Sequence, residues 1–162
     1  SKSITGKLLL LKTLSGKEIM DRLEEFSFFK GKNSEAQLVI AKKILELNPE
    51  LALEFLDTGN SNHFLLVSQC FFEIGKMSKS LKFANDYIKC YPRKIEGFLN
   101  AGWISIEMRN YSEAISFFDM AMGVDSLSPE AIYGKGLALK NKGESYESYQ
   151  TILSQIDKEL VI

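Results

Sequence analysis

The sequence contains few of the residues from which catalytic and metal sites are built. It has one histidine, His63, and two cysteines, Cys70 and Cys90, among 162 residues. Two cysteines do not make the dense disulfide framework of a small secreted protein, so we expect two free thiols in packed helices. A single histidine with no cysteine pair nearby argues against a zinc site and leaves any nucleophile without a base. We expect His63 to cap a helix or face solvent, and we expect no enzyme activity, no metal and no cofactor.

Long apolar runs and clusters of basic residues are also missing. The run from Leu8 to Leu11 ends at Lys12, well short of the roughly 18 to 20 residues that a membrane span requires. The 20 Lys and Arg residues are balanced by 21 Asp and Glu residues, which gives a net charge of −1. A general nucleic-acid binder needs a clustered excess of Lys and Arg to neutralise phosphates. We therefore expect no membrane span, no nucleic-acid partner and a cytoplasmic location.

The apolar residues that are present recur at helical spacing. Val and Ile do not alternate in short runs, which argues against strands. Residues 1–14 leave strand and helix open, whereas Ser15 and Glu18 form a capping-box pattern that predicts a helix over about 16–29. The sequence thus indicates an all-α fold. The later helices are predicted at about 62–74, 78–90, 95–108, 111–123, 129–141 and 145–158.

The helical pattern repeats with a fixed period of about 34 residues, a length that indicates an array of units burying their faces against each other. Gly136 follows Gly102 by one period, and Gly143 follows Gly75 by two. Small residues in register let two helices cross closely, because a large side chain would push their backbones apart. The bulky residues in register are Phe64, Phe98 and Ile132 on the first helices, and Phe118 and Ile152 on the second helices.

The segment Tyr111-Ser112-Glu113-Ala114-Ile115, followed by Phe118 and Ala121, resembles the tetratricopeptide repeat (TPR) in its residues, its two-helix unit and its period. The resemblance implies an all-α, right-handed superhelical array of antiparallel helix hairpins, forming a single domain over 1–162. Glu24, Lys43 and Lys135 depart from the family pattern at positions where small or packing residues are expected. The implied units are a degenerate hairpin at 17–50, an insert at 51–60, and repeats at 61–94, 95–128 and 129–162.

The family's first helices line a concave groove, and this resemblance assigns the partner-binding residues. On the central first helix, Leu99, Trp103 and Ile106 form an apolar stripe separate from the stripe that packs the hairpin. An alternative is that Trp103 fills a closed core between neighbouring helices. The positions assigned to a partner are Leu65, Gln69 and Phe72 in one repeat, Leu99, Trp103 and Ile106 in the next, and Tyr133 and Leu137 in the last.

The function implied is a non-catalytic interaction module that binds a protein or peptide with apolar anchors. Glu96, Glu107 and Glu130 near the groove favour a ligand that is neutral or basic beside those anchors. A clamp for a C-terminal carboxylate is not expected, because only Asn100 matches it. The alternatives are a type III secretion-type chaperone for apolar translocators, the interaction segment of a larger enzyme or regulator, and an RNA-reading helical repeat. The apolar end Leu160-Val161-Ile162 would be covered by further chain, a partner or a second copy in a homodimer.

Overall fold

The computed structural model describes residues 4–156 and 162. In this part of the chain all regular structure is helical and no strand occurs, as the spacing of the apolar residues predicts. The helices are α1 (Ile4–Thr13), α2 (Gly16–Asp21), α3 (Leu23–Ser27), α4 (Ser34–Ile44), α5 (Pro49–Glu54), α6 (Phe64–Glu73), α7 (Met77–Cys90), α8 (Ile95–Glu107), α9 (Tyr111–Val124), α10 (Pro129–Lys142) and α11 (Glu147–Ile156). The chain divides into two compact units, Ser1–Lys76 and Met77–Ile162.

The helix predicted over 16–29 is two short helices in the first unit. The capping box is present: the Ser15 N–H donates to Glu18 Oε2 at 2.8 Å, and the Glu18 N–H donates to Ser15 Oγ at 3.3 Å. The helix then breaks at Arg22, whose guanidinium forms two hydrogen bonds with the Glu25 carboxylate, at 3.1 and 2.8 Å. Periodicity alone therefore overestimated the length of this helix, because it contains no signal for the break at Arg22.

Two departures from the family pattern are explained within the first unit. Lys43, where a small residue was expected, donates from Nζ to the carbonyl oxygens of Lys12, at 3.0 Å, and of Leu14. These oxygens lie at the carboxyl end of α1, where a cation is favourable. Gly16 allows the start of α2 to lie close to the backbone of α4, because a Cβ at this position would overlap the carbonyl oxygen of Lys43. Glu24 is exposed on α3, so no small residue is needed at that position.

His63 is fully buried, so the expectation of a solvent-exposed or capping side chain was wrong. Its Nδ1 accepts a hydrogen bond from the Asp57 N–H at 2.8 Å, and its Nε2 lies 2.8 Å from Ser34 Oγ. Because Nδ1 accepts, the proton of the neutral ring is on Nε2 and is donated to Ser34. Burial lowers the pKa of His63. The ring therefore holds the start of α4 to the turn after α5 as a neutral group.

The helix ends confirm the repeat period. Gly75, Arg109 and Gly143 all have positive φ, at +81°, +60° and +81°. At Arg109 the Asn110 N–H donates to the Ser105 carbonyl at 2.8 Å, and this bond closes the end of α8. At Gly143 the equivalent bond of the next residue closes α10. The left-handed position thus recurs once per repeat, although arginine occupies the middle one.

The core of the second unit is built around Phe118. This side chain is fully buried on α9, and its ring lies against Gly102 of α8 and Gly134 of α10. A Cβ added at Gly102 would lie 2.7 Å from the ring, so the small residues leave the space that the ring fills. Ile152, one period later on α11, is 39% exposed. The last two residues of the helix predicted over 145–158, and the predicted apolar residues Leu160 and Val161, lie outside the described residues.

Candidate functional site

Two neighbouring helices of the second unit, α8 and α10, carry the central candidate residues. Both pack against α9 and against each other. α10 begins sharply because Pro129 occupies its first turn and Ser128 Oγ accepts the N–H of Ala131 at 3.3 Å. We call the residues that α8 and α10 present together the Trp103 surface; they are Leu99, Trp103, Glu130, Tyr133 and Leu137.

The apolar stripe of α8 is shared between the core and the surface. Leu99, Trp103 and Ile106 are each half-buried and pack against the cluster of Ala114, Phe118 and Ala138. The Trp103 ring centre is 5.3 Å from that of Phe118, with the planes at 73°, an edge-to-face contact. The sequence predicted a stripe separate from the one that packs the hairpin, and the structure shows that the two are not separate. Its side chains pack the hairpin with one part and remain accessible to solvent with another.

Trp103 is held in place by polar and aromatic contacts to α10. Its indole Nε1–H donates to Glu130 Oε1 at 2.8 Å. The Trp103 and Tyr133 ring centres are 6.1 Å apart, with the planes tilted by 42°. The structure thus brings together Trp103 and Tyr133, which the sequence assigned to one groove. The hydrogen bond from Trp103 to Glu130 was not predicted from the sequence, although the repeat register placed Glu130 near that groove.

The surroundings of the Trp103 surface are acidic. Between its first and last residues α8 carries Glu96 and Glu107 but no Lys or Arg. Both are exposed, as is Glu130, and within residues 4–156 and 162 none of the three forms an ion pair. These three carboxylates therefore have no direct cationic partner among the described residues, although Lys94 and Arg109 flank α8 in the sequence.

The lysines of α10 are engaged elsewhere. Lys135 Nζ is 2.6 Å from Asp119 Oδ1 on α9 and 4.9 Å from the ring centre of Tyr149 on α11. This ion pair explains why a lysine occupies a packing position in the last repeat. Lys140 Nζ lies 5.5 Å from the ring centre of Tyr146 and donates to the Ile162 carbonyl at 3.1 Å. The third lysine of α10, Lys142, pairs with Glu144 at 2.7 Å, so none of the three has Glu130 as its ion-pair partner.

The remaining assigned residues lie on α6 in the first unit. Leu65, Gln69 and Phe72 are all half-buried there. Their spacing of i, i+4 and i+7 places them on one face of that helix. On α10, Leu137 is also half-buried and lies one turn beyond Tyr133.

The described residues offer no arrangement of metal ligands and no helix suited to a membrane. Among them, no group of three or more His, Cys, Asp or Glu side chains is placed to hold a metal ion. No helix in the same residues is both long and apolar enough to cross a membrane. Cys70 and Cys90 are both free, as expected. Cys70 is buried on α6, and burial raises the pKa of its thiol to about 12, whereas Cys90 is exposed at the end of α7.

Solved structures identify the fold, although no protein-family model and no curated protein sequence matches the chain. A crystal structure of MamA superposes with a TM-score of 0.70 at 16% identity, covering 98% of this chain and 96% of that chain. YrrB, described as a TPR protein with an unusual peptide-binding site, gives a TM-score of 0.71 at 12% identity, covering 89% of this chain and 84% of that chain. The chain has a tetratricopeptide-repeat fold.

A further similar structure is that of a thermophilic TPR protein in Thermus thermophilus. It gives a TM-score of 0.70 at 15% identity, covering 89% of this chain and 82% of that chain. The predicted TPR-like, all-α fold class is thereby confirmed. Because the identities are all this low, the comparisons establish the TPR fold, and the function has to be argued from the residues of this chain.

Proposed function

We propose that this TPR chain is a non-catalytic protein-interaction module, and that the Trp103 surface binds a peptide segment of a partner protein. The observation that supports this most directly is the half-buried pair of Trp103 and Tyr133 on adjacent helices. Tryptophan and tyrosine supply a large contact area and dominate the energies of many peptide and protein interfaces. That YrrB has the same fold and a peptide-binding site is consistent with this use of it.

The contacts of Trp103 favour binding because they fix the side chain before a partner arrives. The hydrogen bond to Glu130 and the edge contact with Phe118 restrict its rotamer in the free protein. A fixed aromatic side chain loses little conformational entropy on binding, so more of the contact energy contributes to affinity. Leu99 and Leu137 are half-buried on the same two helices and would extend the apolar contact on either side.

The α6 residues are proposed as partner contacts in their own right. Leu65, Gln69 and Phe72 are half-buried along one face of α6, a pattern suited to an apolar peptide side chain. Phe72→Ala tests them independently of the second unit. We expect weaker peptide binding from this variant, and unchanged binding would remove α6 from the proposal.

The proposal is tested by selecting ligands from a random dodecapeptide display library on the immobilised protein. Selected peptides are synthesised with a fluorescent label, and their Kd is measured by fluorescence anisotropy. We expect Tyr133→Ala to raise the Kd about tenfold, since losing an aromatic anchor costs more than about 1 kcal/mol. Circular dichroism checks that each variant remains folded.

The matched control is Leu127→Ala, which removes an apolar side chain that is 67% exposed and lies beyond α9, outside the Trp103 surface. We expect this variant to bind the peptides as the unmodified protein does. A selection without enriched peptides would refute the proposal. So would peptides whose affinity falls with Leu127→Ala and not with Tyr133→Ala.

A further inference from the structure

The Glu130 carboxylate has unused capacity to bind a ligand. Its Oε1 accepts the indole N–H of Trp103, and an ionised carboxylate can accept several further hydrogen bonds through both oxygens. Glu130 is exposed and, in the part of the chain that the structure describes, pairs with no Lys or Arg. The hydrogen bond from Trp103 restricts the carboxylate, so less side-chain entropy is lost when a cation binds to it.

The aromatic rings beside Glu130 suit the same kind of ligand. Glu130 and Tyr133 are three residues apart on α10 and therefore on neighbouring positions of one helix face. Glu130 lies at the N–H edge of the Trp103 ring, so a planar cation bound to it would extend over the Trp103 or Tyr133 face to make the cation–π contact that tryptophan gives most strongly. Guanidinium is planar, stacks on aromatic rings and donates two parallel hydrogen bonds to a carboxylate.

The charges around the site favour a basic ligand as well. Glu96 and Glu107 add negative charge on α8, while Lys135 is neutralised by Asp119. An acidic surface attracts basic segments and disfavours acidic ones. Glu130, which contacts Trp103 directly, and the two rings therefore favour the same chemistry.

We propose that the Trp103 surface binds a peptide segment in which an arginine lies beside an apolar anchor, with Glu130 binding the guanidinium and Trp103 and Tyr133 stacking on it. This inference depends on the proposed function, because it specifies the peptide that the surface takes. The apolar anchor packs on the half-buried leucines, Leu99 and Leu137.

The test compares the full chain with its Glu130→Gln variant. Glutamine keeps an oxygen that can accept the Trp103 indole N–H but carries no charge. Glu113→Gln is the matched control, since Glu113 is also an exposed acid in the first turn of a helix, α9, outside the Trp103 surface. The random dodecapeptide library is selected on all three proteins. We expect arginine to be about fivefold more frequent in peptides selected on the unmodified protein and on Glu113→Gln than on Glu130→Gln.

The second measurement uses two defined probes, acetyl-Leu-Arg-Leu-amide and the same peptide with neutral citrulline in place of arginine. Trp103 is the only tryptophan, so a single indole N–H signal in an NMR spectrum reports binding at this surface. We expect the arginine peptide to bind about five to ten times more tightly than the citrulline peptide, and salt to reduce the difference. Glu130→Gln should abolish the difference and Glu113→Gln should preserve it.

The outcomes separate this inference from the function it depends on. If both peptides bind equally and Tyr133→Ala weakens both, the proposed peptide-binding surface is supported and its selectivity for arginine is overturned. A loss of the difference in Glu113→Gln as well would assign the effect to overall charge and overturn the role of Glu130. If neither peptide shifts the indole signal and the library yields no binder, both proposals fail.

Discussion

The packing of Phe118 against two glycines predicts that one substitution has opposite effects at two places in the second unit. Gly134 lies on α10, where an added Cβ would overlap the Phe118 ring. Gly123 lies on α9, where an added Cβ has no neighbouring atom within 4 Å. Replacing each by alanine therefore makes the same chemical change in a crowded site and in an open one.

The expected magnitudes follow from two opposing effects. Alanine is favoured over glycine inside a helix by about 1 kcal/mol. Overfilling a packed core costs roughly 1 to 3 kcal/mol, and the rigid ring of Phe118 cannot move aside as a flexible chain end would. We expect Gly134→Ala to lower the free energy of unfolding by about 1 to 2 kcal/mol, since the overlap there is severe. Gly123→Ala should raise it by roughly 0.5 to 1 kcal/mol.

The assay is urea unfolding followed by circular dichroism, with thermal melting as a second measure. A change of about 1 kcal/mol corresponds to roughly 2 to 4 °C in Tm for a chain of this size. Phe118→Leu, which removes the ring, should couple to Gly134→Ala by about 1 kcal/mol or more in a double-mutant cycle. Stabilisation by both alanines, or strict additivity of Gly134→Ala and Phe118→Leu, would refute the packing argument.

Three further predictions concern a helix end, the buried histidine and the two thiols. Arg109→Gly should raise the free energy of unfolding, measured in urea, by roughly 0.5 to 1 kcal/mol. The strain that positive φ causes in an arginine is larger than the entropy that glycine adds to the unfolded chain, which favours unfolding. A loss of stability would contradict this. The pKa of His63 is lowered in the fold, so its contribution to stability is present above the unfolded pKa of about 6.5 and is lost as pH falls towards the folded pKa. Unfolding free energies at about pH 7.5 and pH 5 should differ less in His63→Gln, and an unchanged difference would exclude this cause. A thiol reagent should modify Cys90 in the folded protein and Cys70 only after unfolding, since Cys70 is buried with a pKa of about 12; equal rates would show that Cys70 is accessible.

The later helices were predictable to within one or two residues at most ends. Helices expected at 95–108 and 111–123 are observed at Ile95–Glu107 and Tyr111–Val124. Their apolar period and their turns are local features, which neighbouring residues specify. The prediction of one helix over 16–29 was wrong, because the apolar period of the sequence continues through the break at Arg22. Local patterns give helix type more reliably than helix ends.

The candidate surface was predictable only in part. Repeat register assigned Trp103 and Tyr133 to one groove, and their rings are 6.1 Å apart in the structure. Register did not show that Trp103 also packs on Phe118 or that its indole donates to Glu130. Both contacts join different helices, and the direction of each side chain depends on how closely those helices cross. Whether the surface binds a peptide stays a prediction.

The sequence by itself determined the all-α fold, the repeat period and the placing of small residues where helices cross. These properties follow from the spacing of apolar residues and from the side-chain sizes within each segment, both of which are local to the sequence. Only the tertiary structure decided the uses of individual polar residues: Lys43 at the end of α1, His63 as a buried link, and Glu130 beside Trp103. A polar side chain takes its role from the atoms that other helices bring within hydrogen-bonding distance, and their positions are set only once the helices have packed.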